Sequence, residues 1–285
     1  MALNKAFVGK AYPDGEDWEV TQDATQAYAK AINSANPAYF DGARPGGLMA
    51  PPLYGVVFTF QQLMTPVLDP EMGVNIMRLV HGEQDMRWHR PVRPGDKIRS
   101  NVTVQSIGEK LTGEVMDLVM RSVNQRDEVV QEQYVGLFIR GRVRKAKDAG
   151  DEREESTPTG NILFEEKVTA SADQSLRYAD ASGDHNPIHK DPEMARAAGL
   201  PDIILHGLCS MAFVSNVIIE KLAGGNPERL KRLKVRFAKP VMNGDTLTVT
   251  VREQPAVDGR KVVGIEVTNP AGVIVIKDGL AEVAL

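Results

Sequence analysis

Residues 177–195, RYADASGDHNPIHKDPEMA, put two histidines, four acids and an Asn-Pro pair into one short window. Asp184 and His189 stand five residues apart, with Asn186-Pro187 between them. A proline disfavours helix at the residue before it, so this segment has to turn. A turn can bring a carboxylate and an imidazole to one point, as a positioned general acid–base pair requires. Gly183 permits a tight bend or a close approach of ligand to backbone. Farther on, His206-Gly207 opens an apolar run. A helix starting there would offer unpaired N–H groups and the positive end of its dipole. A glycine at that point lets a carbonyl oxygen come close, which is what an oxyanion site needs. Asp, Asn, Ser and Gly before a helix are also ordinary capping and turn residues. Spacing alone does not separate the two readings.

The elements that must position these residues are written twice in the chain. AYAKAINSANP at 27–37 aligns with RYADASGDHNP at 177–187, an offset of 150. WHRPVRPGDKI at 88–98 aligns with FAKPVMNGDTL at 237–247, an offset of 149. Between them, PPLYGVVFTF (51–60) faces IILHGLCSMAF (203–213). Three matches in one order at nearly one offset indicate an internal repeat. The seam is RKAKDAGDEREE at 144–155, too poor in apolar residues to repay its ordering entropy. The expected division is therefore 1–143, a linker at 144–159, and 160–285. Each half reads as an extended start, a short helix near Tyr28 or Tyr178, a polar turn, one apolar helix and then strands. In the second half that helix runs from about His206 through Leu222, apolar around most of its circumference, and stops at Gly224-Gly225. LKVRFAKPV, DTLTVTVREQ, KVVGIEVTNP and GVIVIKDGLAEVAL follow as strands, with a turn at Asn269-Pro270-Ala271-Gly272. One buried helix with several antiparallel strands is an α+β layout, a sheet curled around the helix, and two such units could pair as a pseudo-dimer.

The repeat also weighs the two readings of the polar window. At the offset of 150, Asp184 corresponds to Ser34 and His189 to Tyr39, while Asn-Pro is kept in both copies. The turn persists and the ionisable pair occurs once. That asymmetry favours one active half and one supporting half.

Composition sets the bounds. At 285 residues with 42% hydrophobic and 25% charged residues, the chain can bury a sizeable core. A formal charge of −4 gives no general attraction to nucleic acid, so an anionic ligand has to be met locally. Cys209 is the only cysteine, which excludes an intramolecular disulfide and a cysteine metal cluster. No apolar stretch reaches membrane-span length and the N-terminus has no signal-peptide core. A soluble cytoplasmic protein is expected, with neither nucleic acid nor membrane as partner.

Tyr178-Ala-Asp-Ala-Ser-Gly-Asp184-His-Asn186-Pro-Ile-His189, followed by Asp191-Pro and Ala195, resembles the signature of the MaoC-like, R-specific enoyl-CoA hydratases. Leu205-His-Gly-Leu-Cys209 resembles the start of their central helix, and the first half resembles the degenerate partner of two-domain members. The resemblance implies a double hot-dog fold, each sheet wrapped round a long helix. It implies reversible hydration of a trans-2-enoyl thioester to the (3R)-3-hydroxyacyl thioester, with no metal or cofactor. Asp184 and His189 would activate water and exchange the α-proton, Asn186 would orient them, and the Gly207 N–H would hold the thioester oxygen. The substrate would be an acyl-CoA or an acyl-carrier-protein thioester. A dehydratase for a branched or dicarboxylic acyl group, and a thioesterase on the same fold, are the alternatives.

The remaining polar residues carry weaker signals. At two-residue spacing Arg232, Lys234 and Arg236 would share one strand face, either a solvated row or a contact for nucleotide phosphates. His206 reads as a packing or capping residue, His81 and His89 as strand or surface residues, and Cys209 as a buried small hydrophobe. Gly46-Gly47, Pro51-Pro52 and the VVFTF run are candidates for shaping an acyl pocket in the first half. Paired halves satisfy a hot-dog dimer within one chain, and two chains could still associate as a homodimer of double hot-dogs.

Overall fold

The computed structural model describes residues 2–141 and 159–285. The expected linker, 144–159, lies outside these residues except for Thr159. In chain order the first half contains β1 (Ala11–Tyr12), β2 (Trp18–Glu19), α1 (Gln22–Ala31), α2 (Gly55–Leu68), β3 (Leu79–Trp88), β4 (Lys97–Lys110), β5 (Gly113–Val123) and β6 (Val129–Arg140). The second half follows with β7 (Ile162–Thr169), α3 (Gln174–Ser182), α4 (Pro192–Ala197), α5 (Gly207–Leu222), β8 (Leu230–Phe237), β9 (Thr246–Val257), β10 (Arg260–Thr268) and β11 (Ile274–Ala284).

The strands alternate inward apolar with outward polar residues, as in β4, where Ile98, Val102 and Val104 are buried. All join one antiparallel sheet, in the order β1-β4-β5-β6-β3-β8-β11-β10-β9-β7, with β2 also on β4. Read outward from the middle, β3-β6-β5-β4 repeats as β8-β11-β10-β9. The halves meet at β3 and β8, where Glu83, Asp85 and Met86 stand opposite Arg236, Lys234 and Leu233. This is the double hot-dog arrangement, and its curled sheet wraps the two long helices. α5 is apolar around most of its circumference, and from Cys209 to Ile219 only Asn216 is not buried. One apolar cluster runs through both halves, joining Tyr28, Tyr54 and Phe58 to Tyr178, Met211 and Phe213. A second, smaller cluster around Met116, Leu118 and Met72 belongs to the first half.

Equivalent residues meet where the halves face each other. The hydroxyls of Tyr28 and Tyr178, 150 residues apart, are 3.3 Å from one another in the core. Asn33 Nδ2 donates to Gln174 Oε1 at 2.9 Å, Gln174 Nε2 to Ala31 O, and Asn36 Nδ2 to Gly225 O at 2.9 Å. On the outer face of the junction Arg232 makes a bidentate pair with Asp85, Nε–Oδ1 2.8 Å and Nη2–Oδ2 2.6 Å. Its Nη1 also reaches Glu282, which Arg260 shares at 2.8 Å. The Arg232 and Asp85 side chains are only 20% and 14% exposed, so removing one partner strands the other partly out of water. Replacing Asp85 with Asn should lower unfolding stability by about 1–3 kcal/mol, read as a shift in the urea midpoint at unchanged slope. The solvent-exposed pair Lys5–Glu109 is the control, and Lys5→Ala should leave the midpoint where it is.

Candidate active site

The polar window folds as turn chemistry with ionisable groups left over. α3 ends at Gly183, whose φ of +79° returns its N–H to Ala179 O at 2.9 Å and swings the chain off the helix. Asn186 Oδ1 accepts from the Ile188 N–H and caps a 3₁₀ turn over Pro187–His189. Asp191 Oδ1 accepts from the N–H groups of Glu193 and Met194 and caps α4, which the sequence reading had not anticipated. The capping reading therefore holds for Asn186 and Asp191. Asp184 and His189 are directed elsewhere. One oxygen of the half-buried Asp184 carboxylate accepts from the Asn186 N–H at 3.2 Å. His189 is buried, and its Nδ1 is 2.8 Å from Ile204 O. A carbonyl only accepts, so Nδ1 carries the hydrogen and Nε2 is left with a lone pair, the form a general base needs.

His206 closes the cluster. Its Nε2 donates to the main-chain oxygen of Asp184 at 3.0 Å. Its ring stacks on His189 at 3.7 Å between centroids and 24° between planes, with Tyr178 4.9 Å away. One side-chain N or O atom from each of Asp184, His189 and His206 lies within 4.8 Å of the others. A metal ion needs lone pairs that converge, whereas in-plane lone pairs of two nearly parallel rings run side by side. The cluster suits proton exchange better than metal ligation. Burial holds His189 below its ordinary range against the pull of Asp184, and holds His206 at about 4. Both rings are neutral at physiological pH.

Gly207 is the first residue of α5. The first N–H of this helix with an acceptor among the described residues is that of Cys209, which donates to His206 O at 3.0 Å. The N–H of Gly207 is thus available at the positive end of a buried dipole. A Cβ here would come within 3.0 Å of the Phe237 ring, so the position admits only glycine without displacing that ring.

The first half has the same frame without the chemistry. Asn36 caps the turn Pro37–Tyr39 as Asn186 caps its counterpart. Ser34 stands for Asp184, Tyr39 for His189 and Tyr54 for His206; the Tyr39 hydroxyl is buried without a partner, and the Tyr54 hydroxyl lies by Trp18. The N–H of Gly55, the counterpart of Gly207, is taken up by the preceding 3₁₀ turn. Its carbonyl accepts from Gln131 and Gln133 at 3.2 and 3.3 Å.

Of the residues singled out in the sequence, Asp184 and His189 are brought together with His206, Gly207 directly follows His206 at the head of α5, and the Asn186 side chain is spent on its own turn. Arg232, Lys234 and Arg236 do share a strand face, and it is the face opposite Leu233, Val235 and Phe237. Arg232 is engaged by Asp85 and Glu282, and Arg236 lies near Glu83 and Asp278. Phe237 faces Gly207, so this basic row is not brought to the acid–base cluster. His81, read as a strand or surface residue, lies nearer the site than that reading implied. It sits in β3 of the first half, edge-on to Phe237 at 5.4 Å, where the charge of Asp184 reaches it. No local pattern marks it, because only the β3–β8 pairing brings it there. Cys209 is fully buried and burial pushes its thiol up, which leaves it a small hydrophobe.

Two buried histidines, His189 and His206, and the half-buried His81 are held neutral, which has a stability consequence. His81 and His206 titrate at about 4 and His189 below its ordinary 6.5. Between these values and 6.5 the unfolded chain binds protons that the folded one does not, so stability rises with pH in that window. Unfolding stability should be insensitive to these groups above about pH 7 and should fall as pH drops from 6.5 toward 4. Urea midpoints across that range should show the loss, and His81→Gln should flatten it.

A family model described as MaoC like domain matches residues 153–273, and one described as FAS1-like, dehydratase domain region, matches residues 6–133. The 3-hydroxyacyl-thioester dehydratase Y of Mycobacterium tuberculosis is 33% identical over 221 residues, 73% of each chain. The probable enoyl-CoA hydratase 2 of Dictyostelium discoideum is 28% identical over 81% of this chain and 79% of that one. A solved MaoC-like dehydratase superposes with a TM-score of 0.85 over 99% of both chains at 20% identity, a likeness of fold. No helix among the described residues is long and apolar enough to cross a membrane. With a relative one-third identical over nearly three-quarters of both chains, on the same double hot-dog frame, this chain belongs to the MaoC-like dehydratase family.

Proposed function

We propose that the protein interconverts trans-2-enoyl thioesters and (3R)-3-hydroxyacyl thioesters, with the chemistry in residues 160–285 and residues 1–143 in support. The names of its relatives, a 3-hydroxyacyl-thioester dehydratase and an enoyl-CoA hydratase, describe the two directions of that reaction. The observation that carries the reading is the convergence of Asp184 and His189 on His206, the residue directly before the open N–H of Gly207 at the head of a buried helix. In the hydration direction the Asp184 carboxylate and His189 Nε2 hold a water over the β-carbon. Its hydroxyl adds there, its proton passes to the pair, and a proton is returned to the α-carbon. Negative charge moves transiently onto the thioester oxygen, where the Gly207 N–H stabilises it in a site shielded by Phe237. Asn186 fixes the carboxylate through its own N–H. No redox change occurs, so the step needs only water and groups already in the chain.

The closed first half supports its assignment as scaffold, since Tyr39 and Tyr54 offer no base and the Gly55 N–H is already spent. A single buried thiol suits a reducing compartment, and we place the protein in the cytoplasm. The test is hydration of trans-2-enoyl-CoAs of several chain lengths, followed by loss of enoyl absorbance, with chiral analysis of the product. The wild type should give the R-hydroxy product, and Asp184→Asn should lose on the order of 10²–10⁴ in kcat. Turnover untouched by that substitution, or release of free thiol in place of hydration, would contradict the assignment.

A further inference from the structure

The His206 side chain makes no hydrogen bond to the helix whose N-cap it occupies. Histidine is not a preferred residue there; Asn, Asp and Ser are, because their short side chains reach back to the first N–H groups. The side chain is used in another direction. Its Nε2–H spans 22 residues of sequence to the main-chain oxygen of Asp184 at 3.0 Å. Asp184 needs such a tie. It follows the left-handed turn at Gly183 and precedes exposed Asn186, so its backbone would otherwise be held only by the local turn. The ring that makes the tie is itself fixed, with His189 stacked against it at 3.7 Å and Tyr178 at 4.9 Å. One side chain thus touches both members of the acid–base pair, the carboxylate through its backbone and the imidazole through its face.

The first half supplies an internal comparison. Where Ser34 and Tyr39 replace the pair, Tyr54 replaces His206, and its hydroxyl makes no hydrogen bond back to the Ser34 main chain. The tie is missing where there is nothing to position.

We infer that His206 is a positioning residue that sets the distance between Asp184 and His189 by anchoring the Asp184 main chain. The inference rests on the acid–base reading of that pair. The titratable groups around the ring are Asp184, His185 and His189, with the Tyr178 phenol near it and Lys190 on His185. Neutral His206 can donate only from Nε2, because Asp184 O can only accept, so the tie does not compete with His189 for a proton.

Two substitutions separate positioning from helix capping. In His206→Asn the amide is too short to reach Asp184 O, yet asparagine is a better N-cap than histidine. In His206→Gln the amide nitrogen extends to about where Nε2 stands. With trans-2-enoyl-CoA as probe, the Asn variant should unfold at the wild-type temperature or above while kcat falls 10- to 100-fold and KM stays within two-fold. The Gln variant should recover most of that loss. A ¹⁵N titration of the His189 ring should move to lower pH in the Asn variant, as the carboxylate drifts away, and stay in place in the Gln variant. A kcat within three-fold of wild type in the Asn variant, with the His189 titration unmoved, would overturn the inference. Wild-type protein without turnover would sink the hydratase reading alone, and the ring titration would still decide the role of His206.

Discussion

A helix that is apolar around most of its circumference has to be buried, and the cover reaches its start, where Gly207 and Leu208 are half-buried. That constraint on α5 shapes everything around it. The sheet must curl to cover the helix, which brings Phe237 of β8 so close to the helix start that any side chain at position 207 would have to push that ring aside. The open N–H there is then a fixed dipole in a shielded place. Loops that pass its end are the ones that can supply acid and base, and the segment 183–189 is such a loop. Its turn residues hold Asp184 and His189 in place, while His206, immediately before the glycine, reaches back to the loop.

The two halves show what the frame costs and what it permits. Both keep the Asn-Pro turn, the long helix and the strand order, and both place a tyrosine at the centre of the junction. The fold therefore tolerates either content at the helix start. In the first half the space holds two aromatic rings and a pair of glutamines on the Gly55 carbonyl. In the second it holds three ionisable groups, two of them kept neutral by burial. Burying histidines sacrifices acid stability, as expected where a site is arranged for proton transfer.

What was legible in the sequence was whatever is local or repeated. The offset of 150 marked the halves, strand alternation marked the sheet, and Gly224-Gly225 marked the end of α5. The window 177–195 was visible as chemistry because its residues lie close in sequence. Helix α4 has an ordinary N-terminal signal in Asp191-Pro192-Glu193, but at six residues it is too short to show an apolar period. His81 was legible as a strand residue, but neither its place near the site nor the ion network on Arg232 could be read. Both depend on β3 lying against β8, a pairing between halves that no short-range pattern encodes. The basic row on β8 was correctly placed on one face, but which face meets the site is decided by the inward turn of Leu233, Val235 and Phe237.

The central claim is that the thioester oxygen sits on the Gly207 N–H with the double bond under Asp184 and His189. A crystal structure of the Asp184→Asn variant with a trans-2-enoyl-CoA tests it most directly. The account predicts the thioester oxygen within hydrogen-bond distance of Gly207 N and the β-carbon facing His189 Nε2. A thioester bound at Asn36, Tyr39 and Gly55 of the first half, or away from Gly207 altogether, would contradict it.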